Sequence, residues 1–242
     1  RELGASFNYM AQAIEATMER QEQFLMAAAH ELRAPLASMR ALVESMEISP
    51  PEPDELPELI DDIHTEILDL QQTAESILSL LRAGSGSAPS RPQQVNPAKI
   101  VEDLIKSRAA TISQRNLEIL QRYPTAGEVP IDPLLFRLIV GNLLDNAIKF
   151  TPPGGTVAVA LENCNKMVLK VSDNGPGIPP EHLDKIFDRF YRVDPARQKV
   201  TGGAGLGLAI VKEACEKTAG VIHVETSPGE GTVFTVEWHN IR

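Results

Sequence analysis

The chain is poor in cysteine and has neither a long apolar run nor a basic one. Two cysteines in 242 residues, Cys164 and Cys215, cannot build a disulfide framework, which favours a reducing compartment. No stretch approaches the roughly 18 apolar residues of a membrane span. No signal peptide is visible, and the first residue is Arg1 rather than Met, so the sequence reads as a fragment. Basic residues are outnumbered, 23 against 33 acidic ones, for a net charge of −10. That balance, without a basic patch, excludes a nucleic-acid binder. Hydrophobic content of 43% with 23% charged residues excludes a disordered chain and indicates an ordinary folded one.

Texture divides what remains. Residues 1–83 contain a single glycine, Gly4, and almost no strand signal. Leu25, Ala29, Leu32, Leu36, Met39, Val43 and Met46 recur in a four–three rhythm. Leu56, Ile60, Ile63, Ile67, Leu70, Ala74, Ile77 and Leu81 repeat it. Each set is a heptad seam on a helix. Ser49-Pro50-Pro51-Glu52-Pro53-Asp54 stops the first helix and turns the chain. A lone helical hairpin leaves part of each seam uncovered, and a second copy would complete a four-helix bundle. Residues 84–94, GSGSAPSRPQQ, read as a flexible linker.

Residues 95–242 mix helices and strands. Asn96-Pro97 and Asp132-Pro133 are helix starts, predicting helices to about Ser113 and Phe150. Strands are expected over 118–123, 156–161, 167–171, 221–225 and 232–238, with helices near 180–187 and 205–218. Hairpin-linked strands mixed with helices define an α+β sandwich, a mixed sheet with helices on one face, and not a doubly wound parallel sheet.

Three features carry chemistry. Asp173-Asn174-Gly175-Pro176-Gly177 follows a strand, and Gly202-Gly203-Ala204-Gly205-Leu206-Gly207-Leu208 opens a helix. Closely spaced glycines at a helix N-terminus let backbone N–H groups approach an anion, although tight turns alone would explain either cluster. No Lys-Ser/Thr follows the second cluster, which excludes a Walker A loop. Asn142, Asn146 and Lys149 share one face of a helix, while Leu138, Leu144 and Ile148 are expected to point elsewhere. Amide oxygens suit Mg²⁺, and a lysine one turn on suits a phosphate, although a solvated polar face is the plain alternative. His30-Glu31 stands beside the first seam, facing solvent. Pro35 follows one turn later and is expected to bend the helix.

Together these residues resemble the sensor histidine kinases of two-component signalling. Phe24-Leu25-Met26-Ala27-Ala28-Ala29-His30-Glu31-Leu32-Arg33-Ala34-Pro35-Leu36 is similar to the family's phosphoacceptor box. Asn142-Leu143-Leu144-Asp145-Asn146-Ala147-Ile148-Lys149-Phe150 is similar to its N box. Asp173-Asn174-Gly175-Pro176-Gly177-Ile178 and Gly203-Ala204-Gly205-Leu206-Gly207-Leu208 are similar to its two G boxes. Phe187-Asp188-Arg189-Phe190-Tyr191-Arg192 is similar to its F box. The boxes stand in the family order over residues 24–208.

The resemblance implies a dimeric helical hairpin followed by a Bergerat-like ATP-binding sandwich. In that arrangement residues 1–22 form a signalling helix, 23–83 the dimerisation and phosphotransfer domain, 84–94 the linker and 95–242 the catalytic domain. It implies that His30 is phosphorylated, with Glu31 as its acid–base partner. It implies ATP as substrate and Mg²⁺ as cofactor. Asn142 and Asn146 would meet the metal and Lys149 the phosphates, with Phe150 and Ile178 beside the nucleotide. Asp173 would accept from the adenine amino group, Gly175 and Gly177 would let the chain pass the base, and Thr232 would line the adenine end. Gly203, Gly205, Leu206 and Gly207 would wrap the phosphates, and Arg192 would approach the γ-phosphate. Residues 193–204 would form a mobile lid.

A homodimer through residues 23–83 and a response-regulator receiver domain are the implied partners. Glu2-Leu3-Gly4 and Phe7-Asn8-Tyr9-Met10 resemble the end of a HAMP linker. The natural chain is then expected to continue upstream into a membrane helix, this part being the cytoplasmic portion of a bacterial inner-membrane protein. One position departs from the pattern: many relatives carry Thr or Asn four residues after the histidine, where this chain has Ala34, so weak regulator-phosphatase activity is expected. An ATPase of the same nucleotide fold and a degenerate, scaffolding kinase are the competing readings. The first has no use for His30-Glu31 on a heptad hairpin, and the second none for intact Asn146, Asp173 and G-box glycines.

Overall fold

Heptad spacing produces two long helices, α1 (Glu2–Ile48) and α2 (Leu56–Gly84). The computed structural model describes residues 2–84, 91–124, 127–163, 166–193 and 205–239. They fall into two compact units, Arg1–Ile77 and Leu78–Arg242. In the first unit α1 runs on through Pro35. Proline cannot donate to the carbonyl of Glu31, a loss of about 3 kcal/mol in a helix interior that tertiary packing must offset. The chain reverses after Ser49, whose N–H still reaches the Ser45 carbonyl at 2.9 Å, and Glu55 Oε2 accepts from the Glu52 N–H at 3.0 Å.

Each seam splits into half-buried and exposed positions. Leu32, Met39 and Met46 on α1, and Ile63, Leu70, Ala74 and Ile77 on α2, are half-buried. Leu25, Ala29, Leu36 and Val43, and Leu56, Ile60 and Ile67, are exposed. The most buried positions, Phe24, Ala28 and Thr73, fall just off the predicted seams. A polar tie crosses the hairpin: Ser38 Oγ donates to Glu66 Oε1 at 2.8 Å. No helix among the described residues is long and apolar enough to cross a membrane.

The second unit is a sheet with helices on one face. Its elements are β1 (Gln93–Val95), α3 (Pro97–Ser107), α4 (Ala109–Gln114), β2 (Glu118–Arg122), β3 (Val129–Ile131), α5 (Pro133–Phe150), β4 (Thr156–Asn163) and β5 (Met167–Asp173). A 3₁₀ turn (Pro180–His182), α6 (Gly207–Lys217), β6 (Gly220–Ser227) and β7 (Gly231–Trp238) complete it. Five strands lie in the order β2-β4-β5-β7-β6, with β2 parallel to β4 and every other pair antiparallel. Asn96 Oδ1 caps α3 by accepting from the Ala98 N–H at 3.0 Å. Asp132 Oδ1 caps α5 by accepting from Leu134 and Leu135 at 3.0 and 3.1 Å. Both prolines occupy the first helical position, where no N–H is missed.

The core is built by period-two strand faces against the helices. Val157, Val159 and Leu161 of β4, Met167, Leu169 and Val171 of β5, and Phe234, Val236 and Trp238 of β7 are buried. They pack with Ile100, Val101 and Leu104 of α3, Phe136, Ile139, Val140, Leu143 and Leu144 of α5, and Val211, Ala214 and Cys215 of α6. The Trp238 ring lies 5.8 Å from that of Phe136, and its Nε1–H donates to Thr218 Oγ1 at 3.0 Å, so the indole is both packed and hydrogen-bonded.

Four local expectations are corrected. The helix expected over 96–113 breaks at Arg108 (φ −102°, ψ 5°). Its guanidinium reaches back to the Leu104 carbonyl and across to Asp145 and Gly141 on α5, which turns the chain there. The helix expected near 180–187 is only the 3₁₀ turn followed by turns. Most of its bonds run three residues back, from Leu183 to Pro180, Lys185 to His182 and Asp188 to Lys185, with a single four-residue bond from Ile186 to His182, and only Ile186 of the segment is buried. The expected linker 84–94 is shorter than its composition implies: Gly84 closes α2, and Gln93 and Gln94 pair with Ile131 and Pro130. Leu138, expected to point away from Asn142, is half-buried and lies one turn before it, on the same side of α5.

Candidate functional site

Helix α5 has two faces. Phe136, Ile139, Val140, Leu143, Leu144 and Ala147 are drawn into the core, and helical spacing then turns Asn142, Asn146 and Lys149 away from it, where all three are half-buried. The Asn142 Nδ2 donates to the Leu138 carbonyl at 2.8 Å, which fixes the amide and turns Oδ1 outward. That oxygen faces the first residue of α6, 3.1 Å from where a Cβ on Gly207 would stand. Asn142 therefore meets the N-terminus of α6, whose dipole end is positive. Lys149 Nζ lies 5.1 Å from the centroid of the half-exposed Phe150 ring.

The C-terminus of α5 abuts the first glycine cluster. A Cβ on Gly175 would stand 2.9 Å from the Phe150 carbonyl oxygen and 2.7 Å from Asp173 Oδ1, so no larger residue fits there. Asp173 ends β5 opposite Thr232 of β7. Its Oδ1 accepts from the Gly175 N–H at 2.9 Å. The Thr232 N–H is a second backbone donor to this carboxylate. Burial nonetheless holds the Asp173 carboxyl above its ordinary value, with the two backbone hydrogen bonds acting the other way. Gly177 adopts φ +70°, and any Cβ there would meet the Ser227 carbonyl.

Thr226, which composition did not single out, knits this corner together. Its Oγ1 accepts from the Ile178 N–H at 3.0 Å, donates to the Gly231 carbonyl at 2.8 Å and lies 3.1 Å from Thr232 Oγ1. Thr232 itself is buried. The second glycine cluster is anchored from the F-box segment. Gly205 takes φ +67° against Phe190 and Tyr191, and its carbonyl accepts from the Phe190 N–H at 3.0 Å. Leu206 is fully buried as the residue before α6. Arg192 is half-buried beside Tyr191, whose hydroxyl lies 2.6 Å from His182 Nδ1. Gly203 and residues 194–204 lie outside the described residues.

The structure thus forms two groups of contacts along α5: Asn142 with Gly207, which follows Gly205 and Leu206, and Phe150 with Gly175, Asp173, Thr232, Gly177 and Ile178 around Thr226. His30 stands in the other unit, exposed on α1, and Ala34 is exposed one turn later. Arginines missed in the sequence hold α5. Arg108 Nε and Nη2 grip Asp145 at 2.6 and 2.8 Å. Arg115 donates to carbonyls at the helix C-terminus. No sequence signal marked either, because both stand where an exposed arginine would be ordinary. Cys215 is buried, and burial with nearby Glu216 pushes its thiol up to about 12, which removes it as a nucleophile.

The donor set fits a nucleotide: a fixed carboxylate for an amine donor, outward amide oxygens, an ammonium and a helix N-terminus for phosphates. Among the described residues no cluster of three His, Cys, Asp or Glu side chains forms a metal site, so Mg²⁺ would rest on neutral amide oxygens and the phosphates themselves.

Residues 20–86 match the His Kinase A (phospho-acceptor) domain. Residues 131–241 match the family described as histidine kinase-, DNA gyrase B- and HSP90-like ATPase. The chain is 35% identical over 240 residues to the sensor histidine kinase CusS of Escherichia coli O157:H7, covering 97% of this chain and 48% of that protein. It is 36% identical over 245 residues to the histidine-protein kinase/phosphatase MprB of Mycolicibacterium smegmatis, covering 94% and 46%. In fold it is similar to the histidine kinase ThkA solved with the response regulator TrrA, at a TM-score of 0.73 and 21% identity, over 93% of this chain and 65% of that one. The chain belongs to the sensor histidine kinases of two-component systems. It spans about half the length of the curated relatives it matches.

Because the folded chain keeps the Asp173 proton to higher pH than the unfolded chain, its contribution to stability is present in acid. That contribution is lost as the pH rises through the folded pKa. Asp173→Asn removes the burial of a charge at neutral pH. We expect it to raise Tm at pH 7, with the difference from the unsubstituted chain closing below the ordinary carboxyl value of 3.8. A lowered Tm at pH 7 would show that the two backbone hydrogen bonds outweigh burial.

Proposed function

We propose that the chain binds Mg²⁺–ATP in the second unit and transfers the γ-phosphoryl group to His30. One observation carries the reading: α5 meets the N-terminus of α6 at Asn142 and Gly207, and meets the Asp173–Thr232 corner at Phe150 and Gly175, with its N-box face between them. In this reading Asp173 accepts from the adenine amino group, and Gly175 and Gly177 leave room for the base between Ile178 and Thr232. Asn142 and Asn146 would hold Mg²⁺, which offsets phosphate charge when bound. Lys149 and the α6 N-terminus, with Gly203, Gly205, Leu206 and Gly207, bind the phosphates beside Phe150, and Arg192 approaches the γ-phosphoryl. The His30 imidazole nitrogen attacks phosphorus in line. The N–P bond forms as the bond to the β-phosphate oxygen breaks, ADP leaves with the electron pair, and Glu31 takes the imidazole proton.

The exposed half of the heptad seams supports a homodimer through residues 23–83, in which Leu25, Leu36 and Val43 meet a second copy. The next acceptor is an aspartate on a response-regulator receiver domain, a reading supported by the likeness to ThkA, which was solved with such a regulator. The relatives are sensor kinases about twice as long, which supports a cytoplasmic portion of a bacterial inner-membrane receptor. Residues 1–22 then end a HAMP-like linker and carry the signal along the unbroken helix α1. The nucleotide fold is shared with gyrase B- and HSP90-like ATPases, and an exposed histidine within a matched phosphoacceptor domain weighs against that reading.

Incubation with γ-labelled ATP and Mg²⁺ should give labelled protein that is acid-labile, alkali-stable and absent in His30→Gln. Hydrolysis of ATP without label on the protein would move the weight to an ATPase. Ala34, exposed one turn after His30, offers no donor or acceptor to orient a water. Ala34→Thr should speed loss of phosphate from the phosphorylated regulator while leaving labelling of His30 intact, and an unchanged rate would remove Ala34 from the account.

A further inference from the structure

The C-terminus of α5 poses a problem of hydrogen bonding. Its last four carbonyls, from Ala147 to Phe150, have no partner within the helix. The Ala147 oxygen is met by Thr151, through its N–H at 3.0 Å and its Oγ1 at 2.6 Å. The Phe150 oxygen lies against Gly175. The oxygens between them are met by a side chain from outside the helix. Arg115 Nη1 donates to the Ile148 carbonyl and, at 2.8 Å, to the Lys149 carbonyl, while Nη2 donates to the Thr151 carbonyl at 2.8 Å. The backbone of Arg115 is anchored too. Its N–H donates to Thr111 at 3.0 Å, and its carbonyl accepts from Gly154, beyond α5, at 3.1 Å.

A planar cation at a helix C-terminus is favoured by the dipole, and its fork fixes direction as well as distance. The carbonyls it holds are those of Ile148, Lys149 and Thr151, and they bracket Phe150. We propose that Arg115 is a positioning residue for the nucleotide: by clamping the end of α5 it sets where Lys149 and Phe150 stand against the ATP. The inference rests on the nucleotide-binding reading given above. It goes beyond that reading because Arg115 belongs to none of the family's sequence boxes and acts through the backbone of α5.

The test is calorimetric titration of the full chain with Mg²⁺–ATP, for Arg115→Met and Arg115→Lys. A purely structural role would lower Tm and the fraction of competent sites, and leave the Kd of those sites unchanged. A positioning role raises Kd at full stoichiometry, by about tenfold for Arg115→Met, the size of one lost charge-assisted hydrogen bond. Arg115→Lys keeps the charge, loses the fork and should fall between the two. It also serves as the readout if Arg115→Met does not fold. Unchanged Kd in the folded variants overturns the inference and leaves the nucleotide reading intact. Absence of ATP binding by the unsubstituted chain overturns both.

Discussion

The structure depends on the angular separation of the two faces of α5. An α-helix advances about 100° per residue. Phe136, Val140, Leu143 and Ala147 therefore cannot enter the core without carrying Asn142, Asn146 and Lys149 to the other side. Burial of the first set is what orients the second. A surface helix with the same polar residues would place them with far less precision, since nothing would fix its rotation. The caps sharpen the setting: Asp132 holds the start of the helix, Arg108 its middle through Asp145, and Arg115 its end.

The chemistry of the site is largely backbone chemistry. Gly175, Gly177, Gly205 and Gly231 sit where a Cβ would meet another chain segment, so the backbone packs closely at the strand ends and just before α6. Few charged side chains are needed, because amide N–H groups and a helix dipole supply the positive field. Like Lys149 and Arg192, Asp173 is a charged exception, a carboxylate held in a partly dry corner by two backbone donors, and such a group recognises an amine better than a solvated one does.

Most of the fold was legible where periodicity was strong. The two long helices and the five main strands followed from spacing alone, whereas the apolar stripe of α5 was read with Leu138 on the wrong side. The heptad seam was legible as a seam, but spacing could not say which half of it a single chain covers. Leu32 and Met39 are half-buried and Leu36 and Val43 exposed, a distinction that depends on where α2 lies. The three-residue strands β1 and β3 were too short for a period to register. The break at Arg108 was hidden because its cause is a partner, Asp145, 37 positions away. Thr226 and Arg115 were missed for the same reason, since their roles come from hydrogen bonds to distant backbone and not from their neighbours in sequence.

The central claim is that the lining from Asn142 through Asp173 to Gly207 is where ATP binds. The most direct measurement is the change in backbone amide chemical shifts across the full chain on adding Mg²⁺–ATP. The account predicts the largest changes at Asn142, Asn146, Gly175, Gly177, Gly205 and Gly207, with none beyond background at the groove between Lys99 and Tyr123 on the same unit. Changes centred on that groove, or spread evenly over the sheet, would contradict it.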